Sequence, residues 1–220
     1  MMLRSGSERC PDNPYRCVRK DIEINGSLSS NKIIMGFNSK EYWENRYKSG
    51  GNSGAGSRGI IAEFKAKVIN DFVKNNNIQA VCELGCGDWL FSLFDVPEYI
   101  GHDVSKFIIK RNKRIYDDKL KFTTSMDELT SYDLTISMDV ILHLIEEDVY
   151  QQYMKDLFRL SNKYVIIFST NWDEILGGRH NKYRKFITVV PENFELIEVI
   201  DNPHKGADTQ ADFFVFKKLE

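Results

Sequence analysis

The chain has 220 residues, of which 30 are basic and 32 acidic, for a formal net charge of −2. This length is enough for one well-buried domain, and the charge balance gives no global field that would attract nucleic acid or an anionic membrane. No apolar run approaches the roughly 20 residues that span a bilayer, so we expect a soluble protein without a membrane partner.

The first 37 residues differ in character from the rest of the chain. They show no sustained hydrophobic periodicity, and Pro11, Pro14 and Gly26 interrupt them. This composition predicts a partly ordered or disordered arm over residues 1–37 and one domain over residues 38–220. The arm has no apolar stretch of the kind found in secretory signals. Four cysteines, none at a zinc-knuckle spacing, favour reduced thiols and a cytoplasmic location.

A segment rich in glycine and serine follows the aromatic stretch YWENRY at residues 42–47. Residues 48–59 read KSGGNSGAGSRG, with five glycines and three serines in twelve positions. A phosphate-binding loop needs Lys and then Ser or Thr directly after its last glycine, but Ile60 follows Gly59 here. Two interpretations are left for this Gly/Ser-rich segment, a flexible linker and a lid over a neighbouring site.

An amphipathic helix is predicted from Arg58 onward. Its apolar face consists of residues at steps of three and four, namely Ile61, Phe64, Val68 and Phe72. This is the spacing of one side of an α-helix. Lys65, Lys67 and Asp71 fall between these positions and are assigned to the polar face.

Short runs rich in β-branched and aromatic residues predict seven strands. They cover residues 80–84, 99–103, 120–123, 134–138, 163–168, 194–200 and 211–217. A helix from Glu146 to Leu160 precedes the fifth run, with an apolar face of Val149, Tyr153, Leu157 and Leu160. Strands that alternate with helices form parallel crossovers, so the predicted fold class is α/β with a doubly wound sheet. The last two runs have no helix between them, and we expect them to pair antiparallel.

The ends of the first two strands carry the clearest chemical signal. In an open parallel sheet, ligands bind beyond the carboxyl ends of the central strands. The first strand ends in ELGCG at residues 83–87, and Asp103 ends the second strand eighteen residues after Gly85. An acid at about that distance accepts hydrogen bonds from ribose hydroxyls, while glycine lets the backbone approach the ligand.

The same turn argues against a dinucleotide. The fingerprint G-x-G-x-x-G needs a third glycine at position 90, where this chain has Leu90. A carboxylate at Glu83 would repel phosphate, yet it suits a ligand that carries ammonium and sulfonium charges. These properties describe S-adenosylmethionine.

In these stretches the sequence resembles the class I S-adenosylmethionine-dependent methyltransferases, over roughly residues 39–220. The matching segments are VCELGCG at 81–87, GHDVS at 101–105 and DLTISMDVILHL at 133–144. The resemblance implies a Rossmann-like, mainly parallel seven-stranded sheet with an antiparallel last strand, and S-adenosylmethionine as cofactor. Residues 42–47, the Gly/Ser-rich segment and ADFFVF at 211–216 also look like a group of small bacterial and phage methyltransferases.

The residues expected to bind the cofactor come from these segments and from a lid hypothesis. In that hypothesis the Gly/Ser-rich segment closes over the methionine part of the cofactor, Tyr42 or Trp43 packs on it, and Arg46 holds its carboxylate. The alternative is a flexible hinge whose aromatic neighbours belong to the core. The predicted cofactor set is Tyr42, Trp43, Arg46, Glu83, Gly85, Cys86, Gly87, Asp103, Val104 and Asp139.

The acceptor of the methyl group is expected beyond the fourth and fifth strands. A hydroxyl acceptor needs a general base, because a protonated hydroxyl is a poor nucleophile. The predicted acid/base residues are Asp139, His143 and His180, with a helix-cap role as the alternative for His143. Arg179 and Arg184, near His180, are predicted to bind an anionic acceptor. No metal site is predicted.

The sequence therefore predicts an S-adenosylmethionine-dependent methyltransferase that acts on a hydroxyl or amine of a small or medium acceptor, such as a sugar or sugar phosphate. A nucleic-acid methyltransferase is disfavoured by the charge balance and by MDVI at 138–141, where base N-methyltransferases carry a tetrad like NPPY. An NAD-dependent oxidoreductase is disfavoured by Leu90. A homologue that binds the cofactor without turnover is the third alternative.

Overall fold

The computed structural model describes residues 37–116, 120–175, 180–206 and 208–220. The predicted N-terminal arm lies almost entirely outside this part of the chain, so its boundary stays a prediction. Among the described residues, no helix combines the length and the apolar composition needed to cross a lipid bilayer.

The described residues form four α-helices. They are α1 (Ser39–Lys48), α2 (Gly59–Asn75), α3 (Lys106–Ile115) and α4 (Glu147–Arg159). Two of them begin with side-chain caps, which satisfy backbone N–H groups in the first turn. Asn38 Oδ1 accepts a hydrogen bond from Glu41 N at 2.8 Å at the start of α1, and Ser105 Oγ accepts one from Ile108 N at 3.2 Å at the start of α3.

Nine strands lie in the described part of the chain. They are β1 (Ala80–Leu84), β2 (Glu98–His102), β3 (Leu120–Thr123), β4 (Tyr132–Met138), β5 (Ser161–Ser169), β6 (Glu174–Ile175), β7 (Lys182–Tyr183), β8 (Phe194–Ile200) and β9 (Asp212–Lys218). Seven of them form one sheet in the order β3-β2-β1-β4-β5-β9-β8, and β6 pairs with β7 separately.

The sheet confirms the predicted fold class and topology. β1 to β5 are mutually parallel, and β9 is antiparallel to both of its neighbours, β5 and β8. The chain first builds outward from β1 to β3 and then returns to the other side of β1 with β4. The strand order therefore reverses between β1 and β4, and a crevice opens at such a reversal, beyond the carboxyl ends of the strands.

Two hydrophobic clusters cover the two faces of the sheet. Successive residues of a strand point to opposite faces. Val81 accordingly packs with residues of α2 and α3, whereas Cys82 and Leu84 pack with residues of α4. Glu83 shares the face of Val81, so its carboxylate lies on the side that α2 covers.

The predicted helical faces need two corrections. The assignment of Lys65 to the polar face of α2 is wrong, because this side chain has no exposed surface and its ammonium is bonded inside the protein. In α4, Val149 was predicted to be buried but is 40% exposed. The buried stripe of α4 is instead Tyr150, Met154, Leu157 and Phe158. Both candidate stripes have helical spacing, so periodicity alone does not choose between them.

Candidate active site

A first cavity of about 280 Å³ lies beyond the carboxyl ends of β1, β2 and β4. Seven of the ten predicted cofactor residues line it, namely Trp43, Glu83, Gly85, Cys86, Asp103, Val104 and Asp139. Tyr47 and Ser53, which were not predicted, also contribute to its wall. Residues from three strand ends thus meet at the point where the strand order reverses.

The turn after β1 requires its two glycines. Gly85 and Gly87 have φ angles of +78° and +60°, a left-handed conformation that side chains disfavour. A Cβ on Gly85 would lie 2.5 Å from Val140 Cγ2, and one on Gly87 would lie 2.3 Å from Ser53 Oγ. The absence of side chains therefore allows the neighbouring segments to approach this turn closely.

Asp103 is held by the backbone around it. Its carboxylate is 6% exposed and accepts hydrogen bonds from Gly87 N at 3.0 Å and from Ser105 N at 2.9 Å. Burial raises the pKa of Asp103 to about 6, although these two bonds oppose the rise. Asp103 is therefore mainly ionised at neutral pH. Each carboxylate oxygen has a further lone pair that can accept a bond from a ligand hydroxyl.

Glu83 is a second buried acid in the first cavity. It is 1% exposed, and its Oε2 accepts a hydrogen bond from Tyr99 Oη at 2.5 Å. Burial raises the pKa of Glu83 to about 8, against the opposing effects of the Tyr99 bond and the Lys65 charge. Without a further cation beside it, Glu83 is mainly protonated at pH 7. A positively charged ligand would favour its ionised form.

The Gly/Ser-rich segment is bonded to the turn after β1. Ser53 Oγ donates to Asp88 Oδ1 at 2.6 Å, and Arg58 Nη2 forms an ion pair with Asp88 Oδ2 at 2.6 Å. Ser53 also lies 3.0 Å from the Tyr47 hydroxyl. Because residues of this segment line both cavities, the geometry favours the lid hypothesis over the hinge, and the lid stays a prediction.

A second cavity of about 330 Å³ adjoins the first. It is lined by the predicted residues Tyr42, Arg46 and His180, and by the loop before β9. Four residues line both cavities, namely Trp43, Ser53, Asp139 and His143. The two cavities therefore meet beside two of the predicted acid/base residues.

His143 has a defined tautomer. Its Nδ1 lies 3.0 Å from the backbone carbonyl oxygen of His180. Since a carbonyl oxygen only accepts hydrogen bonds, Nδ1 carries the proton and Nε2 keeps its lone pair. Burial lowers the pKa of His143, which is therefore neutral at pH 7. Nε2 can therefore accept a proton beside the two cavities that His143 lines, and the general-base role of His143 stays a prediction.

His180 belongs to a stack of rings beside His143. Its imidazole is stacked on Tyr42 with ring centroids 5.1 Å apart, and on His143 with centroids 5.8 Å apart. Burial and the charge of Arg46 lower the pKa of His180. This arrangement suggests that the backbone of His180 orients His143 while its ring forms part of the cavity wall.

Asp139 lies at the junction of the cavities and is bonded to a lysine that sequence reasoning missed. Lys65 Nζ donates to Asp139 Oδ2 at 2.5 Å. One sequence signal points to this burial, because Lys65 falls at four-residue steps between Ile61 and Ile69, both of which are buried.

The predicted acceptor-binding arginines are not both at the site. Arg184 lines neither cavity; it is 5% exposed and its guanidinium lies 4.3 Å from the centre of the Tyr150 ring. Its Nη2 contacts Ile145 O at 3.2 Å and Glu147 Oε2 at 3.3 Å. This geometry does not support an acceptor-binding role for Arg184. Arg179 lies outside the described residues.

Comparisons with known proteins identify the fold. No protein-family model matches the sequence, and no curated protein matches it. The solved structure of magnesium protoporphyrin IX methyltransferase (ChlM) from Synechocystis PCC 6803, with bound S-adenosylmethionine, is 15% identical in sequence with a TM-score of 0.60. The match covers 83% of this chain and 98% of that one.

Two further structures give the same result. The N-methyltransferase NodS from Bradyrhizobium japonicum WM9, in complex with S-adenosylhomocysteine, has a TM-score of 0.61 at 13% identity, over 84% of this chain and 100% of that one. A putative O-methyltransferase from Klebsiella pneumoniae has a TM-score of 0.53 at 10% identity, and the match covers 84% of this chain and 91% of that one. The chain therefore has the fold of class I S-adenosylmethionine-dependent methyltransferases, as the sequence predicts.

Proposed function

We propose that this protein is an S-adenosylmethionine-dependent methyltransferase that transfers a methyl group to a hydroxyl or amine of a small or medium acceptor, such as a sugar. The observation that carries the proposal is the junction of the two cavities. The first cavity holds the glycine turn and the buried acids Glu83 and Asp103. The second cavity has room for an acceptor, and the two cavities meet at Asp139 and His143.

The first cavity fits the cofactor by the chemistry of its residues. Asp103 has lone pairs for ribose hydroxyls, and Gly85, which lines this cavity without a side chain, lets the backbone approach the ligand closely. Glu83 offers a carboxylate to a ligand with positive charge. When bound, S-adenosylmethionine supplies an electrophilic methyl group on a sulfonium.

The residues at the junction align the acceptor and take up its proton. His143, with a free lone pair on Nε2 and a neutral ring, accepts the proton of a hydroxyl acceptor. Trp43, which lines both cavities, helps to exclude water from the junction, and Asp139 accepts a hydrogen bond from a ligand. Alignment and exclusion of water supply most of the acceleration expected for methyl transfer.

Ligand binding separates this proposal from an oxidoreductase. A ligand that binds only the folded state raises the melting temperature. We expect S-adenosylhomocysteine to raise the melting temperature and NADH to leave it unchanged. Stabilisation by NADH but not by S-adenosylhomocysteine would contradict the proposal.

Transfer of a labelled methyl group separates an enzyme from a binding-only homologue. Small-molecule and glycan extracts are incubated with the protein and cofactor labelled in its methyl group, and products are followed by mass spectrometry. We expect His143→Gln to lower the rate by about 100-fold or more, the usual contribution of a general base, while its affinity for S-adenosylhomocysteine stays within about threefold. Equal rates for the variant and the wild type would remove His143 from the mechanism.

A further inference from the structure

Lys65 is a buried cation that the proposed chemistry does not use. It lies in the middle of α2 with no exposed surface, and its Nζ is 4.4 Å from the centroid of the Phe168 ring. A buried ammonium is costly unless it is paired and hydrogen-bonded. Its partners therefore indicate why a lysine is present at this position.

Two separate segments share the Lys65 ammonium. Nζ donates to the carbonyl oxygen of Gly56 at 2.8 Å and to Asp139 Oδ2 at 2.5 Å. Gly56 belongs to the Gly/Ser-rich segment, and Asp139 is in the turn after β4. Both residues line the second cavity, and Asp139 also lines the first. The Lys65 ammonium thus connects the Gly/Ser-rich segment with the turn after β4, and both of these form part of the wall of the second cavity.

This contact leaves little freedom to Asp139 and Gly56. Asp139 has a φ of +58°, a left-handed conformation that is uncommon for a residue with a side chain. A Cβ on Gly56 would lie 2.7 Å from Asp139 Oδ2, so glycine is needed there for the two segments to meet. Among the described residues, Asp139 Oδ1 has no hydrogen-bond donor within the protein, so both of its lone pairs can accept from a ligand.

We propose that Lys65 is a positioning residue, whose ammonium fixes the Asp139 carboxylate and anchors the Gly/Ser-rich segment as one wall shared by both cavities. This inference rests on the proposed function, because the ligands that meet the wall are the cofactor and the acceptor. Lys65 lines neither cavity, so it acts through Asp139 and Gly56. Loss of its ammonium frees both the carboxylate and the segment.

The test compares Lys65→Met with Lys67→Met on the same helix. Lys67 is a matched control because its side chain is 73% exposed and, in the part of the chain that the structure describes, pairs only with Asp71. Two quantities are measured, the dissociation constant of S-adenosylhomocysteine by calorimetry and the rate of trypsin cleavage after Arg58 without ligand.

For Lys65→Met we expect the affinity for S-adenosylhomocysteine to fall by about tenfold or more, as for a lost hydrogen bond to a charged group. Cleavage should be several-fold faster, since the segment opens more often. Lys67→Met should change neither.

The double variant Lys65→Met/Asp139→Asn distinguishes positioning from a structural ion pair. Removing both charges avoids an uncompensated carboxylate. We expect its melting temperature to recover relative to Lys65→Met while its affinity for S-adenosylhomocysteine stays low. Recovery of affinity together with the melting temperature would overturn the positioning role.

A third variant decides the inference if Lys65→Met does not fold. Gly56→Ala leaves Lys65 in place but separates the segment from Asp139, so we expect weaker ligand binding and faster cleavage after Arg58. Unchanged affinity and cleavage in Gly56→Ala would overturn the inference. Failure of the wild type to bind S-adenosylhomocysteine would contradict the proposed function instead, and the ligand-free cleavage rates would still test the role of Lys65.

Discussion

The raised pKa of Glu83 predicts that cofactor binding releases a proton. A carboxyl with a pKa of about 8 is about nine-tenths protonated at pH 7. If the positive charge of the bound cofactor lowers the pKa of Glu83 below about 6, binding at pH 7 releases about 0.8 proton. Asp103, with a pKa of about 6, is only about one-tenth protonated at pH 7 and adds little.

Calorimetry measures this release directly. The enthalpy of S-adenosylmethionine binding is determined at pH 7 in buffers with different ionisation enthalpies, and the slope of the plot gives the number of protons released. We expect a slope of about 0.8 for the wild type and a slope near zero for Glu83→Gln. Tyr99→Phe is the matched control, because it removes a bond that lowers the pKa of Glu83 and therefore keeps the release. A wild-type slope near zero, or an unchanged slope in Glu83→Gln, would show that Glu83 is not the group that releases the proton.

Three further predictions concern the same site. The pKa of Glu83 is raised to about 8, so the stability that its protonated form contributes is complete below about pH 4.5 and is lost toward pH 8, by up to about 1.4 kcal/mol per pH unit. Thermal unfolding of Glu83→Gln should therefore show a smaller loss of stability between pH 5.5 and 8 than the wild type, and equal losses would contradict the assignment. Asp103→Asn should weaken S-adenosylhomocysteine binding by about tenfold or more in calorimetry, with an unchanged circular dichroism spectrum; full affinity would contradict the ribose contact. Gly87→Ala, whose Cβ would lie 2.3 Å from Ser53 Oγ, should accelerate trypsin cleavage after Arg58 several-fold. Gly206→Ala, with no atom within 4 Å of its Cβ, is the control, and equal cleavage of the two variants would show that the turn does not hold the segment.

The parts of the site that the sequence predicted depend on local rules. Glu83, Gly85 and Asp103 follow strands, and the carboxyl ends of parallel strands meet at one edge of the sheet. Their approximate positions therefore follow from the strand assignment. The antiparallel pairing of β8 and β9 was likewise predictable, because no helix separates the two apolar runs.

The parts that the sequence did not predict depend on contacts between distant residues. Lys65 is buried because Asp139, 74 residues later, supplies its counter-charge, and its charge, rather than its helical spacing, led to its assignment to the polar face. The tautomer of His143 depends on a carbonyl oxygen 37 residues away. Arg184 stands beside His180 in a basic stretch, yet its guanidinium packs on Tyr150. Spacing along the chain carries no information on such pairings.

A crystal structure with S-adenosylhomocysteine would show whether the first cavity is the cofactor site. We predict that the ligand occupies the first cavity, with its ribose hydroxyls within about 3.2 Å of the Asp103 carboxylate and its sulfur toward the junction at Asp139 and His143. A ligand bound elsewhere, or one whose ribose does not contact Asp103, would contradict the account.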